Sequence, residues 1–159
     1  MNVVATTTGA TATATLASFA PSLLLLDNKH VAGLILRKDG LGTYGGGTYD
    51  ILGPTGTSLG YRIVAAKAGD IIALFGTGFG PTNPRVPAGR PFAGAAPLTI
   101  ETSVRINEAS VITMFTGLSG AGLNQINLTI FSGLRTGDLS ITATVGGAQT
   151  QVGVVISLQ

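Results

Sequence analysis

The chain has 159 residues, 24 of them Gly and none Cys, and only 10% are charged against a usual ~25%. The missing cysteine excludes thiolate catalysis, cysteine-ligated zinc and disulfides, and low charge beside 45% apolar residues is the wrong composition for a disordered chain. The net charge of +2 comes from nine Lys/Arg scattered among seven acids, which is no nucleic-acid footprint.

In chain order, Met1-Asn2-Val3-Val4 carries no basic segment, so no signal peptide is read in this chain. Ala5-Thr6-Thr7-Thr8-Gly9-Ala10 echoes Ala143-Thr144-Val145-Gly146-Gly147-Ala148. Residues 1–17 therefore read as the terminal hairpin of a preceding, similar repeat or as an added edge strand, and residues 18–159 as one β domain. The longest pure apolar run, Leu23-Leu24-Leu25-Leu26, is far short of the ~20 residues that cross a membrane, so no membrane span is expected. Leu34 to Leu36 reads as a strand ended by the turn Lys38-Asp39-Gly40. Residues 40–59, rich in Gly, Thr and Tyr, read as a long excursion or ragged hairpin. Residues 71–75 form a buried-strand candidate after the Ala68-Gly69-Asp70 turn. Residues 80–97 hold five prolines and predict an irregular loop, because Pro cannot donate to a central ladder.

Val104 and Ile106 predict a short strand, with residues 111–115 as its hairpin partner across Asn107-Glu108-Ala109. Ile126, Leu128 and Ile130 alternate with Gln125, Asn127 and Thr129. Leu139, Ile141, Ala143 and Val145 alternate with Ser140, Thr142 and Thr144, Gly146-Gly147 supplies a hairpin turn, and Val152, Val154, Ile156 and Leu158 alternate again. Period two marks half-buried strands, and short strands about ten residues apart mark a sandwich or barrel.

No set of titratable residues has a recognisable catalytic spacing. His30 is the only histidine; a Ser-His-Asp triad would need it with Asp27 or Asp50, but no G-x-S-x-G elbow is present. Asp39, Asp70 and Asp138 each neighbour a Gly and read as turn caps. No catalytic residue, metal site or cofactor is expected. Gly76-Thr77-Gly78-Phe79-Gly80 is not a nucleotide loop: the spacing is G-x-G-x-G, and Pro81 and Pro84 exclude a following helix. It predicts a turn that folds Phe79 back as a plug over the sandwich. Tyr44, Tyr49 and Tyr61, beside Gly45-Gly46-Gly47, are the candidate ligand-binding residues, for a carbohydrate or peptide, since tyrosine gives large contact area at low entropy cost.

The string from Ala68-Gly69-Asp70 through Gly76-Thr77-Gly78-Phe79-Gly80-Pro81-Thr82-Asn83-Pro84 resembles the opening of IPT/TIG immunoglobulin-like domains. With Ser18 to Leu23, Lys29 to Ala32, Ala121-Gly122-Leu123 and Gln125 to Leu128, residues 16–159 are similar to the Solibacter-type uncharacterised C-terminal domain of large secreted acidobacterial proteins. The resemblance implies an immunoglobulin-like β-sandwich, secreted or at the cell surface in its parent protein, with no assigned catalytic residues. Two stretches depart from that pattern. Ile130-Phe131-Ser132 stands where Val-Pro is usual, and Thr113-Met114-Phe115 where polar or Pro residues are common. These departures point to a cut-out, or redesigned, domain.

The expectation is thus an all-β, immunoglobulin-like β-sandwich of about seven to nine strands, with long Gly/Tyr-rich and Pro-rich loops. The preferred function is a non-catalytic structural or adhesive module that meets neighbouring repeats. One alternative is self-assembly with copies of itself by strand addition, with Met114, Phe115, Ile130 and Phe131 as candidate self-association residues. The other is a small-ligand binder or engineered enzyme, which predicts an apolar pocket with convergent polar groups.

Overall fold

The computed structural model describes residues 2–7, 10–58 and 60–159. β1 (Asn2–Thr7) and β2 (Ala10–Thr15) form an antiparallel ribbon. β3 (Ser22–Leu23) and β4 (Gly33–Leu36) precede the Gly/Tyr-rich excursion. That excursion holds a 3-10 turn (Gly45–Gly47), β5 (Tyr49–Leu52) and β6 (Gly56–Ser58). β7 (Tyr61–Val64), β8 (Ile71–Thr77) and β9 (Ala93–Pro97) follow. The chain continues with β10 (Thr102–Ile106), β11 (Ala109–Val111), β12 (Thr113–Gly120) and β13 (Leu123–Thr129). It closes with β14 (Gly137–Val145), β15 (Ala148–Gln149) and β16 (Val155–Leu158).

The protein is an all-β sandwich. The larger sheet has the order β6-β7-β5-β4-β8-β13-β12-β9, with β3 on β8; the smaller has β11-β10-β14-β15, with β16 also on β14. The strands outnumber the seven to nine expected because the excursions themselves pair. β5, β6 and β7 extend the larger sheet, and the Pro-rich segment ends in β9. Pro97 is tolerated there because β9 is an edge strand, where a missing N–H costs no ladder bond.

Alternation builds the core. On β14, Leu139, Ile141, Ala143 and Val145 are all at most 6% exposed, and on β13 Ile126 and Leu128 are at most 1%. They meet Ile72 and Leu74 of β8 and Val104 and Ile106 of β10 in one apolar cluster. Each such buried aliphatic side chain contributes on the order of 1.5–3 kcal/mol. Phe79 joins this cluster at 1% exposure, the plug that the glycine spacing predicts.

Two expected strands change. The alternation from Val152 breaks, because an unbroken ladder from Val145↔Ala148 would set Gly153 opposite Ser140 and Val155 is found there instead. The slip expels Val152, which is 86% exposed, while Val154, Ile156 and Leu158 stay in the core. The hairpin after β10 turns on Asn107 (φ 47) and Glu108 (φ 71) and is shorter than residues 111–115. After Ile112 the chain crosses over, and β12 pairs with β13 in the other sheet.

The outer edge of β16 is covered by the larger sheet's connections. Val31 N–H donates to the Val155 carbonyl, Val155 N–H to Lys29, and Ala66 N–H to Ser157. The two sheets are therefore joined along this side.

Candidate functional site

Tyr44, Tyr49 and Tyr61 come together at the end of the larger sheet. Tyr44 N–H donates to the Tyr49 carbonyl at 2.9 Å, and the Tyr44 carbonyl accepts from Gly47 and Thr48 at 3.0 Å. This tight wrap needs Gly45, at φ 58, because a Cβ there would stand 2.6 Å from the Tyr49 ring. The Tyr44 and Tyr49 rings stack at 5.9 Å with planes 24° apart, and Tyr61 meets Tyr44 edge-on at 6.5 Å. The Tyr44 hydroxyl donates to the Arg62 carbonyl at 3.1 Å, tying the loop to β7. Tyr61 is 57% exposed, so it presents a free ring braced by the half-buried pair.

A buried ion cluster holds this platform. Arg37 Nε donates to Asp50 Oδ2 and its Nη1 to Asp70 Oδ1, each at 2.8 Å. Asp50 also accepts Thr43 N–H, and Asp70 accepts Lys67 N–H, both at 2.9 Å. Burial alone would raise the Asp50 carboxyl, but donors from Arg37 and Thr43 outweigh it and hold it below the usual range. Asp70 is the turn cap that its Gly neighbour predicts; the Arg37 contact has no local sequence signal.

His30 is buried. Its Nδ1 lies 2.6 Å from Asp27 Oδ2 and its Nε2 3.1 Å from Asp138 Oδ2. Lys29 Nζ also donates to Asp138 Oδ2 at 2.8 Å, and Ser157 Oγ donates to Asp138 Oδ1 at 2.7 Å. Both ring nitrogens face carboxylates, and the nearby serine is bound to Asp138 instead of the imidazole. The cluster lacks the nucleophile-to-base contact of a triad. It ties the loop before β4 to β14 and β16. Among the described residues, no three His, Asp or Glu side chains are arranged to hold a metal ion.

The cluster makes the fold acid-sensitive. Backbone N–H donors from His30 and Lys29 lower Asp27 from 3.8 to about 2, and hydrogen bonds from Lys29 and Ser157 lower Asp138 likewise from 3.8 to about 2. Depressed folded-state values contribute stability that is fully present above the unfolded value and lost as pH falls through the folded one. The melting temperature is therefore expected to fall between pH 4 and pH 2 beyond what other acids cause. Asp138→Asn should lower stability at pH 7 and flatten the acid limb of a melting-temperature series.

The candidate self-association residues divide. Met114 is 55% exposed, Phe131 38% exposed and Phe115 half-buried, but Ile130 is 2% exposed and belongs to the core. Ile130 continues the inward alternation of β13 and cannot serve as a contact residue. The register places Tyr49, Leu36, Ile71 and Thr129 side by side on the outer face of the larger sheet. The next row is Ile51, Leu34, Ala73, Asn127 and Phe115. Neither row contains a charged residue, so the tyrosine platform stands at one end of an uncharged sheet face and Phe115 at the other. Separately, an open groove of about 720 Å³ lies between the Val86–Pro91 stretch of the Pro-rich loop and Leu118, with Arg90 as its one charged lining residue. It lacks the convergent polar groups of a ligand or active site.

No family model matches the chain, and neither curated proteins nor solved structures include a significant match.

Proposed function

We propose that this chain is a non-catalytic adhesive module, an immunoglobulin-like β-sandwich from an exported protein, whose tyrosine platform takes up a neutral carbohydrate. One observation carries the reading: an exposed Tyr61 ring is braced by the stacked Tyr44–Tyr49 pair beside a sheet face without charge. Aromatic rings offer apolar area with polar edges, which matches the alternating C–H faces and hydroxyl rims of a sugar. The buried Arg37 cluster supports the same reading, since Asp50 holds the platform's loop at Thr43 while Arg37, Asp50 and Asp70 stay engaged with one another. The export assignment rests on the resemblance of residues 16–159 to the Solibacter-type C-terminal domain of secreted proteins.

The test is calorimetric titration with a panel of neutral hexose oligosaccharides. Tyr61→Ala is expected to weaken binding at least about tenfold, or ~1.4 kcal/mol, with the melting temperature unchanged. Tyr61→Phe should keep most of the affinity, because the ring face is retained. Binding that ignores Tyr61→Ala, or that appears only with peptides, would remove the carbohydrate assignment.

A further inference from the structure

We infer that two copies of this chain associate through the outer edge of β1, which pairs antiparallel with β1 of the second copy to make a four-stranded sheet from two hairpins. Among the described residues, β1 and β2 pair only with each other. A lone two-stranded ribbon is marginally stable at best, and three or more strands are needed for independent stability. Among the described residues, no sandwich strand pairs with the hairpin, and the stretch that leaves it, Thr13 to Ser18, is exposed, with Leu16 at 53%.

Exposed edges are normally blunted by Lys, Pro, a bulge or a cover. This hairpin has no Lys or Pro in its sequence, and no bulge or covering strand among the described residues. The first charged residue in the chain is Asp27 and the first proline is Pro21. The ladder from Asn2↔Thr15 to Thr7↔Ala10 has no register shift.

The hairpin also repeats the geometry of β14–β15. Thr7 pairs with Ala10 and Thr6 with Thr11, as Val145 pairs with Ala148 and Thr144 with Gln149. In that second hairpin the free side of β14 is filled by β10. The corresponding side of β1 has no such strand among the described residues.

Another copy's β1 fits the vacancy best, because the described edges of the sandwich are short or covered, β15 being only two residues long. β16 is covered by residues 29–31 and Ala66. β9 ends in Pro97, whose carbonyl accepts Asn83 N–H, and the Pro81 carbonyl accepts Thr99 N–H just beyond the strand. β6 is three residues long, and so is β11, which lies beside the Arg105–Glu108 ion pair. Identical uncharged edges meet without like-charge repulsion, and a two-fold pairing closes on itself as a dimer.

Light scattering of the 159-residue chain across a concentration series tests this. A dimer at twice the 15.9 kDa chain mass is expected. Val4→Lys combined with Thr6→Lys sets like charges across the two-fold and should raise the dimer dissociation constant at least about a hundredfold, while the sandwich keeps its own cooperative melting transition. The chain has no cysteine, so Val4→Cys adds a single thiol, and a short bis-maleimide should link two copies. A constant 15.9 kDa mass, a dimer indifferent to the two lysines, or open-ended growth with concentration would each overturn the inference. So would efficient cross-linking of Met114→Cys where Val4→Cys fails, which would move the interface to the outer sheet face.

Discussion

Replacing Arg37 with Met is expected to cost the fold about 3–5 kcal/mol, the usual penalty for breaking a buried ion pair from one side. At about 2–4 °C per kcal/mol for a chain of this size, the melting temperature falls by roughly 6–20 °C. The cause lies in what is left behind. Asp50 and Asp70 have side chains only 9% and 8% exposed, and the Arg37 side chain is 17% exposed. Without the guanidinium, two carboxylates share a poorly solvated space between β5 and the turn before β8. Backbone donors from Thr43 and Lys67 remain, but they offset only part of the charge. Lysine at position 37 should recover little, since a point charge cannot hold two carboxylates in the fork geometry. Adding Asp50→Asn and Asp70→Asn to Arg37→Met should restore much of the loss. Thermal unfolding followed by circular dichroism reads all of these. A loss below about 1 kcal/mol for Arg37→Met, the range of an exposed pair, would show that the cluster is solvated. Because Asp50 adjoins Tyr49, the same substitution is expected to weaken ligand binding at Tyr61.

Phe79→Ala should have a comparable effect, about 3–5 kcal/mol, as an emptied aromatic site in a close-packed core. Phe79 is 1% exposed and sits where Gly76 leaves room: a Cβ on Gly76 would lie 2.7 Å from the Phe79 ring and 2.6 Å from the Ser22 carbonyl oxygen. Gly76→Ala alone should cost about 1–3 kcal/mol by overpacking. The two substitutions should not add. Removing the ring relieves one of the two clashes, so the double variant is expected to be more stable than the sum of the single losses implies. Simple additivity in denaturant titrations would mean that Phe79 and Gly76 do not share the contact.

Local pattern carried most of the fold into the sequence. The inward sets of β13 and β14 follow directly from period-two alternation, and Gly146-Gly147 closes its hairpin at positive φ of 55° and 81°. Ile130 shows the strength of that signal: its place in the alternation puts it in the core, while its divergence from a family pattern drew it into a surface set. What was not legible depended on the third dimension. The slip at Gly153 turns Val152 outward with no change in composition. β12 leaves the hairpin after β10 because β13 offers a longer ladder, which residues 111–115 do not reveal. The tyrosines stand near one another in sequence, but their contact needs β5 and β7 to run parallel, Ile51 beside Ile63. The partners of His30 and Arg37 were hidden most completely, since Asp138 is 108 residues from His30 and no spacing rule links them.

A ¹⁵N–¹H NMR titration of the 159-residue chain with the neutral oligosaccharides reads the tyrosine platform residue by residue. Saturable shifts are expected, confined to residues 43–51 and 60–63, with the amides around His30 and Asp138 unmoved. Shifts centred instead on residues 86–91 and 118–122, beneath the Pro-rich loop, or no shift with any sugar, would contradict the tyrosine platform as the surface through which this protein acts.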